Sequence, residues 1–398
     1  MRSSQKYCIF AEIIHFAMRI TFLVDNIPHP TLPLLAEHGL SLYIETDDLT
    51  NRLIGESTNR KVGILCDMGA SGAYIKNAKA LGIDLDTCHW AFLSHGHADH
   101  TGGLGKWIAQ FGHIPVYASH RIATDEYFSS RPKQVASQKS QVTSQCKVSA
   151  EASLLDYAEP KPDFMSEANK VEGRKSKVES QRFNDSAIQH SRSEIDSPHH
   201  QLTASPSQSE LRYIGSDLNL FHGHTPWFKP IEQNTWLTQH IALVHPTCNQ
   251  YPKPLGNKYL TVVAGQKSQV ASQRFNDSVI QPERSENDPF LHEIALCFVT
   301  PKGLVIVSCC SHHGALNTIA SCMEFTGCNT LHAYVGGLHF VDSPQVEAET
   351  TSFISDWLTL YPNAHLYTGH CTCPRASTLL KAHLPHCHTF YTGNVVEI

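Results

Sequence analysis

Four metal-binding side chains fall within six residues, His95-Gly96-His97-Ala98-Asp99-His100. Ala91-Phe92-Leu93-Ser94 leads into them and reads as the end of a buried strand. His95 and His97 are two apart, so on an extended segment they project to one side, as two ligands of one ion must. Asp99 and His100 follow where the chain turns and are expected to face a second ion beside the first. The Gly102-Gly103 pair after them is expected to provide a tight turn. Imidazole with carboxylate suits Zn²⁺, and Mn²⁺ or Fe²⁺ are compatible alternatives. A divalent ion lowers the pKa of a bound water from ~15.7 toward ~7. The expected chemistry is therefore hydrolysis by a metal-bound hydroxide, with Asp99 orienting the water or taking its proton.

Further ligands must come from elsewhere in the chain. Three later apolar segments end in small residues and a histidine: Cys310-Ser311-His312-His313-Gly314, Gly336-Gly337-Leu338-His339 and Thr368-Gly369-His370-Cys371. Strand ends are where α/β folds place their ligands. The elements that carry these ends are readable from alternation and β-branching. Residues 19–24, 61–67 and 116–118 read as strands, and 85–93 brings the chain into the histidine loop. Residues 34–46 read as a short helix stopped by Gly39 and then a strand, and 74–81 as a helix closed by Gly82. Farther on, 294–299 and 304–307 form a hairpin across Pro301-Lys302-Gly303. Helices are expected from Leu316 to about Phe325 and over Val346 to Tyr361.

Two polar stretches interrupt this pattern, at about residues 131–212 and 266–287. Lys175-Ser176-Lys177-Val178-Glu179-Ser180-Gln181-Arg182-Phe183-Asn184-Asp185-Ser186-Ala187-Ile188-Gln189 returns at Lys267 to Gln281 with 12 of 15 positions identical. Stacked repeats keep a regular period and share a core. These copies do neither, so they read as insertions accepted in surface loops, where too little apolar area is available to offset chain entropy. Residues 211–264, between the copies, regain aromatic and aliphatic residues and are expected to fold. Residues 1–17 read as an extension outside the fold, with Met18 an alternative start. The expected organisation is one domain over 18–398 with two inserts.

The 398 residues carry a formal net charge of -6, with 31 Lys and Arg against 37 Asp and Glu, so bulk charge makes no case for nucleic-acid binding. No run approaches the ~20 apolar residues of a membrane span. The 13 cysteines form no framework, which suits reduced thiols in the cytoplasm. Cys309-Cys310 and Cys371-x-Cys373 are read as packing residues. His222-Gly223-His224 lacks a following Asp-His and is assigned to the surface, as is His199-His200.

In these pieces the chain resembles the metallo-β-lactamase-fold metallohydrolase superfamily, whose HxHxDH signature corresponds to His95 through His100. It is similar in particular to the branch of 7,8-dihydropterin-6-methyl-4-(β-ribofuranosyl)aminobenzene-5′-phosphate synthase-like proteins. Leu23-Val24-Asp25-Asn26, Glu37-His38-Gly39-Leu40-Ser41 and Leu65-Cys66-Asp67-Met68-Gly69-Ala70-Ser71 match that branch, together with the three histidine-bearing strand ends. The resemblance implies an α/β (α+β) αββα sandwich with the metal site at one edge of its two sheets. It implies that His95, His97 and His312 hold one ion and that Asp99, His100 and His370 hold another. Asp67 would then fix ring tautomers from beneath the loop. Most dinuclear members place a bridging Asp in the segment that here reads Val335-Gly336-Gly337-Leu338-His339, which has none. His339 is expected to act as substitute ligand, general acid or substrate contact.

The expected function is metal-dependent hydrolysis of a small ester, lactone or phosphoester, with Asp99 and His339 as catalytic residues. The alternative implied by the resemblance is synthase-like condensation of a dihydropterin with a phosphorylated aminobenzene riboside, losing diphosphate. A third reading is a metal-binding sensor that has lost catalysis. The expected partner is a small molecule, phosphorylated or pterin-like, with neither nucleic acid nor membrane.

Overall fold

Gly303-Leu304-Val305-Ile306-Val307 is apolar at every position, and a strand of that kind needs cover on both faces. The computed structural model, which describes residues 17–47, 61–131, 211–265 and 285–398, supplies it. The chain runs β1 (Met18–Val24), β2 (Ser41–Asp47), β3 (Lys61–Cys66), helix α1 (Ala73–Ala80) and β4 (Cys88–Phe92). The single helical turn α2 (Ala98–Thr101), α3 (Leu104–Phe111), β5 (Val116–Ser119) and β6 (Glu126–Ser129) follow. Next come β7 (Arg212–Tyr213), β8 (Phe228–Ile231), β9 (Thr235–Trp236), β10 (Ile241–Val244), β11 (Leu260–Val263) and β12 (Glu286–Asn287). The last part holds β13 (Ala295–Thr300), β14 (Gly303–Val307), α4 (Ala315–Thr326), β15 (Leu331–Val335) and α5 (Val346–Leu360). It closes with β16 (His365–Thr368), α6 (Pro374–His383), β17 (Cys387–Thr389) and β18 (Val395–Glu397).

Among the described residues these strands form two seven-stranded sheets, ordered β18-β1-β2-β3-β4-β5-β8 and β17-β16-β15-β14-β13-β10-β9. Alternation along each strand builds the layers. Val305 and Val307 of β14 join Ile20, Phe22, Ile44, Ile64 and Phe92 of the first sheet in a core between the sheets. Leu304 and Ile306, one residue out of phase, pack outward with Ile319 of α4, Trp357 of α5 and Leu380 of α6. On the first sheet Leu65 and Ala91 pack outward with Tyr74 of α1 and Trp107 of α3. The result is the αββα sandwich. A smaller sheet, β12-β11-β6-β7, stands apart from both.

The hairpin of β13 and β14 is antiparallel, whereas β14, β15 and β16 are parallel, so their C-terminal ends point the same way. In the first sheet β3, β4 and β5 are likewise mutually parallel. The His95–His100 loop and the segments bearing His312, His339 and His370 each follow one of these parallel strands. Among the described residues, no helix is long and apolar enough to cross a membrane.

One expectation needs correction. Residues 34–40 are not helical. Pro28, Pro30 and Pro33 crowd the approach, and a proline disfavours helical backbone in the residue before it. Tertiary partners then take the polar groups: Leu35 N–H donates to Asn77 Oδ1, and the Glu37 carboxylate accepts from the N–H groups of Ala70 and Ser71. The Gly102-Gly103 pair does form the expected turn, between α2 and α3, but on right-handed backbone with φ −63° and −81°, so positive φ is not what calls for glycine there. Its glycines are needed for close approach instead, because a Cβ at either would collide with the carbonyl oxygens of Ala70 and Met68. The N-terminal extension and both polar inserts lie almost wholly outside the described residues. At their margins Arg212–Tyr213 and Glu286–Asn287 do form strands, paired with β6 and β11 respectively.

Candidate metal centre

The His95–His100 loop is held from three sides. Asp67, at the end of β3 with φ 57°, accepts hydrogen bonds from Ser94 N–H and Ser94 Oγ, each 2.7 Å away. Its Oδ2 is also 2.6 Å from His100 Nδ1. That bond makes Nδ1 the protonated nitrogen of His100 and turns Nε2 toward the site. Ser94 Oγ, having donated to Asp67, accepts from His95 Nδ1 at 2.8 Å, so His95 Nε2 also carries a free lone pair. From a second side, the Gly96 N–H donates to His292 Nδ1, and His292 Nε2 is held by Asp288. From the third, Ala98 N–H donates to the Ile214 carbonyl and Ser216 Oγ to the Gly96 carbonyl.

Single histidines from the second sheet meet this loop. His312 follows β14, and its Nδ1 lies 3.1 Å from Asn257 Oδ1, which leaves Nε2 as acceptor. The loop that carries it is pinned by Glu293, whose carboxylate accepts from the N–H groups of His312 and His313 and from His313 Nδ1. His370 follows β16, where the Asp25 carboxylate accepts its N–H and Asn26 donates to its carbonyl. His339 follows β15, with its ring against that of His312 at 4.3 Å. Ser311, His339 and His370 all have φ between 52° and 57°. Non-glycine residues rarely adopt that region, and packing must hold them there.

The site residues expected from sequence form two trios. His95, His97 and His312 bring three ring nitrogens within 4.8 Å of one another, all on fully or nearly fully buried residues. Their Nε2 atoms have no hydrogen-bond partner. Burial and the neighbouring imidazoles hold His95 and His312 well below the usual histidine range, and burial with His292 brings His97 down to about 3. Three neutral imidazoles thus bring unpartnered Nε2 atoms together. A buried polar atom without a partner costs roughly 1–3 kcal/mol. A divalent cation would satisfy all three, and the donor set suits one.

Asp99, His100 and His370 make the second trio, and here the groups satisfy one another. His100 Nε2 is 3.0 Å from His370 Nε2, and Asp99 Oδ2 is 3.4 Å from His370 Nε2. His38 Nε2 approaches the same carboxylate at 3.4 Å. Burial disfavours charge on His370, but the hydrogen bond to Asp99, with Cys371 and Asp25 nearby, outweighs it and raises the ring to about 9. Burial likewise works against the Asp99 anion, yet His100, His370 and His38 hold the carboxyl well below its usual range.

His339 is buried beside His312 and Cys310. Both of its ring nitrogens are buried without a partner. His222 and His224 are exposed, and His199-His200 lies outside the described residues. A cavity of about 250 Å³ lined by Ser119, Arg121, His245, Glu293 and His313 includes none of the six trio residues.

Several supporting residues escaped the sequence reading. His292, Glu293 and Asp288 lie just after the second insert with no motif around them. Asn257 sits in an irregular loop. Cys310, expected to be packing, has its sulfur 3.2 Å from His100 Nε2.

Comparison with known proteins agrees with this architecture. The metallo-beta-lactamase superfamily model matches residues 56–173, which hold Asp67 and the histidine loop but not His312, His339 or His370. Eighty-seven residues are 34% identical to the 7,8-dihydropterin-6-methyl-4-(beta-D-ribofuranosyl)-aminobenzene-5′-phosphate synthase of Methanocaldococcus jannaschii, over 22% of this chain and 29% of that protein. A solved metal-dependent hydrolase of the β-lactamase superfamily superposes with a TM-score of 0.57 at 21% identity, over 96% of this chain and 99% of that one. The chain therefore carries the metallo-β-lactamase fold, with a superfamily domain match around its histidine loop and a partial relative in the dihydropterin synthase branch.

Proposed function

We propose that the protein is a metal-dependent hydrolase of small ester, lactone or phosphoester substrates. The observation that carries this reading is the convergence of three unpartnered, neutral Nε2 atoms from His95, His97 and His312. A divalent cation, Zn²⁺ by donor type and Mn²⁺ or Fe²⁺ as alternatives, supplies Lewis acidity there, acidifying a water and polarising a substrate oxygen. In this reading His95, His97 and His312 bind the first ion, and Asp99, His100 and His370 a second. Asp67 keeps His100 and, through Ser94, His95 in the tautomer whose Nε2 accepts. Asp99 is ionised and partly exposed, so its carboxylate can orient an attacking water or take its proton. His339 has two uncommitted ring nitrogens and can deliver a proton to the leaving oxygen.

One observation favours a second reading. The partial relative is named as a synthase, and the same residues could stabilise a departing diphosphate while a dihydropterin is coupled to a phosphorylated aminobenzene riboside. The test is to load metal-free protein with Zn²⁺, Mn²⁺ or Fe²⁺ and assay esters, lactones and phosphodiesters beside the two synthase substrates. Metal-dependent cleavage that His339→Ala impairs supports the hydrolase. Coupled product with diphosphate, and no cleavage, replaces it with the synthase. Bound metal with neither activity leaves only the sensor reading.

A further inference from the structure

Cys309 and Cys310 are adjacent and both buried, yet they do different things. Cys309 lies in the core between the sheets, its sulfur 3.6 Å from that of Cys66. Cys310 joins none of the three apolar clusters. Its side chain points instead into the metal centre.

One sulfur there reaches both trios. Cys310 groups within 4.8 Å with His95 and His100, again with His370 and Cys371, and again with His312 and His339. Its distance to His100 Nε2 is 3.2 Å. Because His100 Nδ1 is committed to Asp67, Nε2 can only accept, and the Cys310 thiol shares its one lone pair with the His370 N–H as hydrogen-bond donor. Such a bond marks where a cation can replace the proton. Zinc bonds of about 2.3 Å to sulfur and about 2.0 Å to nitrogen would put the two atoms roughly 3.5 Å apart at a tetrahedral angle, close to the spacing already present.

We infer that Cys310 is a metal ligand, its thiolate shared between the two trios in the place where the segment after β15 offers no carboxylate. This rests on the metal-site reading above. Binding displaces the thiol proton to solvent. The consequence is selectivity: a soft sulfur at the centre of the site favours Zn²⁺ or Co²⁺ over Mn²⁺, whereas a carboxylate there would suit the harder ion.

Cobalt is the probe, because a thiolate ligand gives a near-ultraviolet charge-transfer band and histidine ligands alone give only visible bands. The expected result is both bands in the Co²⁺-loaded wild type and in Cys371→Ser, with loss of the ultraviolet band alone in Cys310→Ser. Visible bands without the ultraviolet one in the wild type overturn the Cys310 assignment and leave the histidine site standing. An ultraviolet band that survives in Cys310→Ser and disappears in Cys371→Ser also overturns it. A wild type that binds no cobalt overturns the metal reading itself. As a second measurement, metal competition on Cys310→Asp should shift preference from Zn²⁺ toward Mn²⁺, and an unchanged preference counts against the assignment.

Discussion

The two trios are neighbours built from the same residue types, and they are prepared in opposite ways. In the first, His95, His97 and His312 are buried, neutral and unpartnered at Nε2. In the second, Asp99, His100 and His370 already form a hydrogen-bonded, charge-balanced set. Binding a cation relieves a cost in the first trio. In the second it must displace a proton from His370 and break contacts that are already made. Ligand type alone does not show this difference; it comes from whether the Nε2 atoms already contact one another and a carboxylate.

The strongest way to break this comparison is to remove a first-trio ligand. His95→Ala or His312→Ala should abolish high-affinity metal binding and reduce any metal-dependent turnover by about 10³-fold or more, given the several kcal/mol a Lewis acid contributes. Elemental analysis should show loss at both positions, because the second ion lacks a fully prepared site. Zn²⁺ added to metal-free wild type at about 100 times its Kd should stabilise the fold by about 2.7 kcal/mol, and these variants should lose that gain in thermal melts. A variant that keeps its metal would place the first ion elsewhere.

His370 gives the next largest effect, and it depends on pH. Its ring is raised to about 9 from an ordinary value of about 6.5, so without metal it holds a proton below about 9 and releases it above. Occupancy of the second trio should therefore climb as pH rises between about 6.5 and 9. The first trio, with His97 at about 3, stays occupied throughout. Equilibrium dialysis at pH 6 and pH 9 should give one ion and then two. His370→Ala should give one ion at both. Two ions binding in parallel at pH 6 would refute the distinction between the trios.

Asp67→Asn tests the support shared by both. Asp67 orients His100 directly and His95 through Ser94, so its loss should cost about 10–100-fold in metal affinity while the fold persists. Both ions should weaken together, as isothermal titration would show. A selective loss at the second trio would mean that the Ser94 relay carries little.

How much of this was legible without coordinates depends on how local each feature is. The loop from His95 to His100 carries four ligand-type residues in six positions, and spacing alone exposes them. The strands were readable because β13 and β14 are apolar on both faces, as burial between two layers requires. His312, His339 and His370 could be singled out because each follows an apolar run. Their partners were not legible in the same way. Glu293 and His292 are 19 and 20 residues from His312, and what they do appears only once the chain is folded. The segment around Glu37 misled because its helical pattern is overridden by contacts to Asn77, Ala70 and Ser71, made across more than 30 residues. The positive φ values at Ser311, His339 and His370 leave no mark on composition, and the same is true of the opposite orientations of Cys309 and Cys310.

The smallest expected effect sharpens the comparison from the solvent side. His38 reaches Asp99 at 3.4 Å, but its side chain is 76% exposed, so water screens the contact. Exposed pairs of this kind contribute about 0–1 kcal/mol. His38 touches the second trio and none of the first, with its ring 5.6 Å from that of His370. His38→Ala should therefore leave metal content at pH 9 unchanged and lower turnover by no more than about fivefold, the equivalent of a contact in that range. The change should appear in kcat, because Asp99 loses a neighbour that helps keep it ionised. If His38→Ala instead removed an ion, the second trio would be a set of four whose outermost ligand lies in solvent, and its contrast with the enclosed first trio would be greater still.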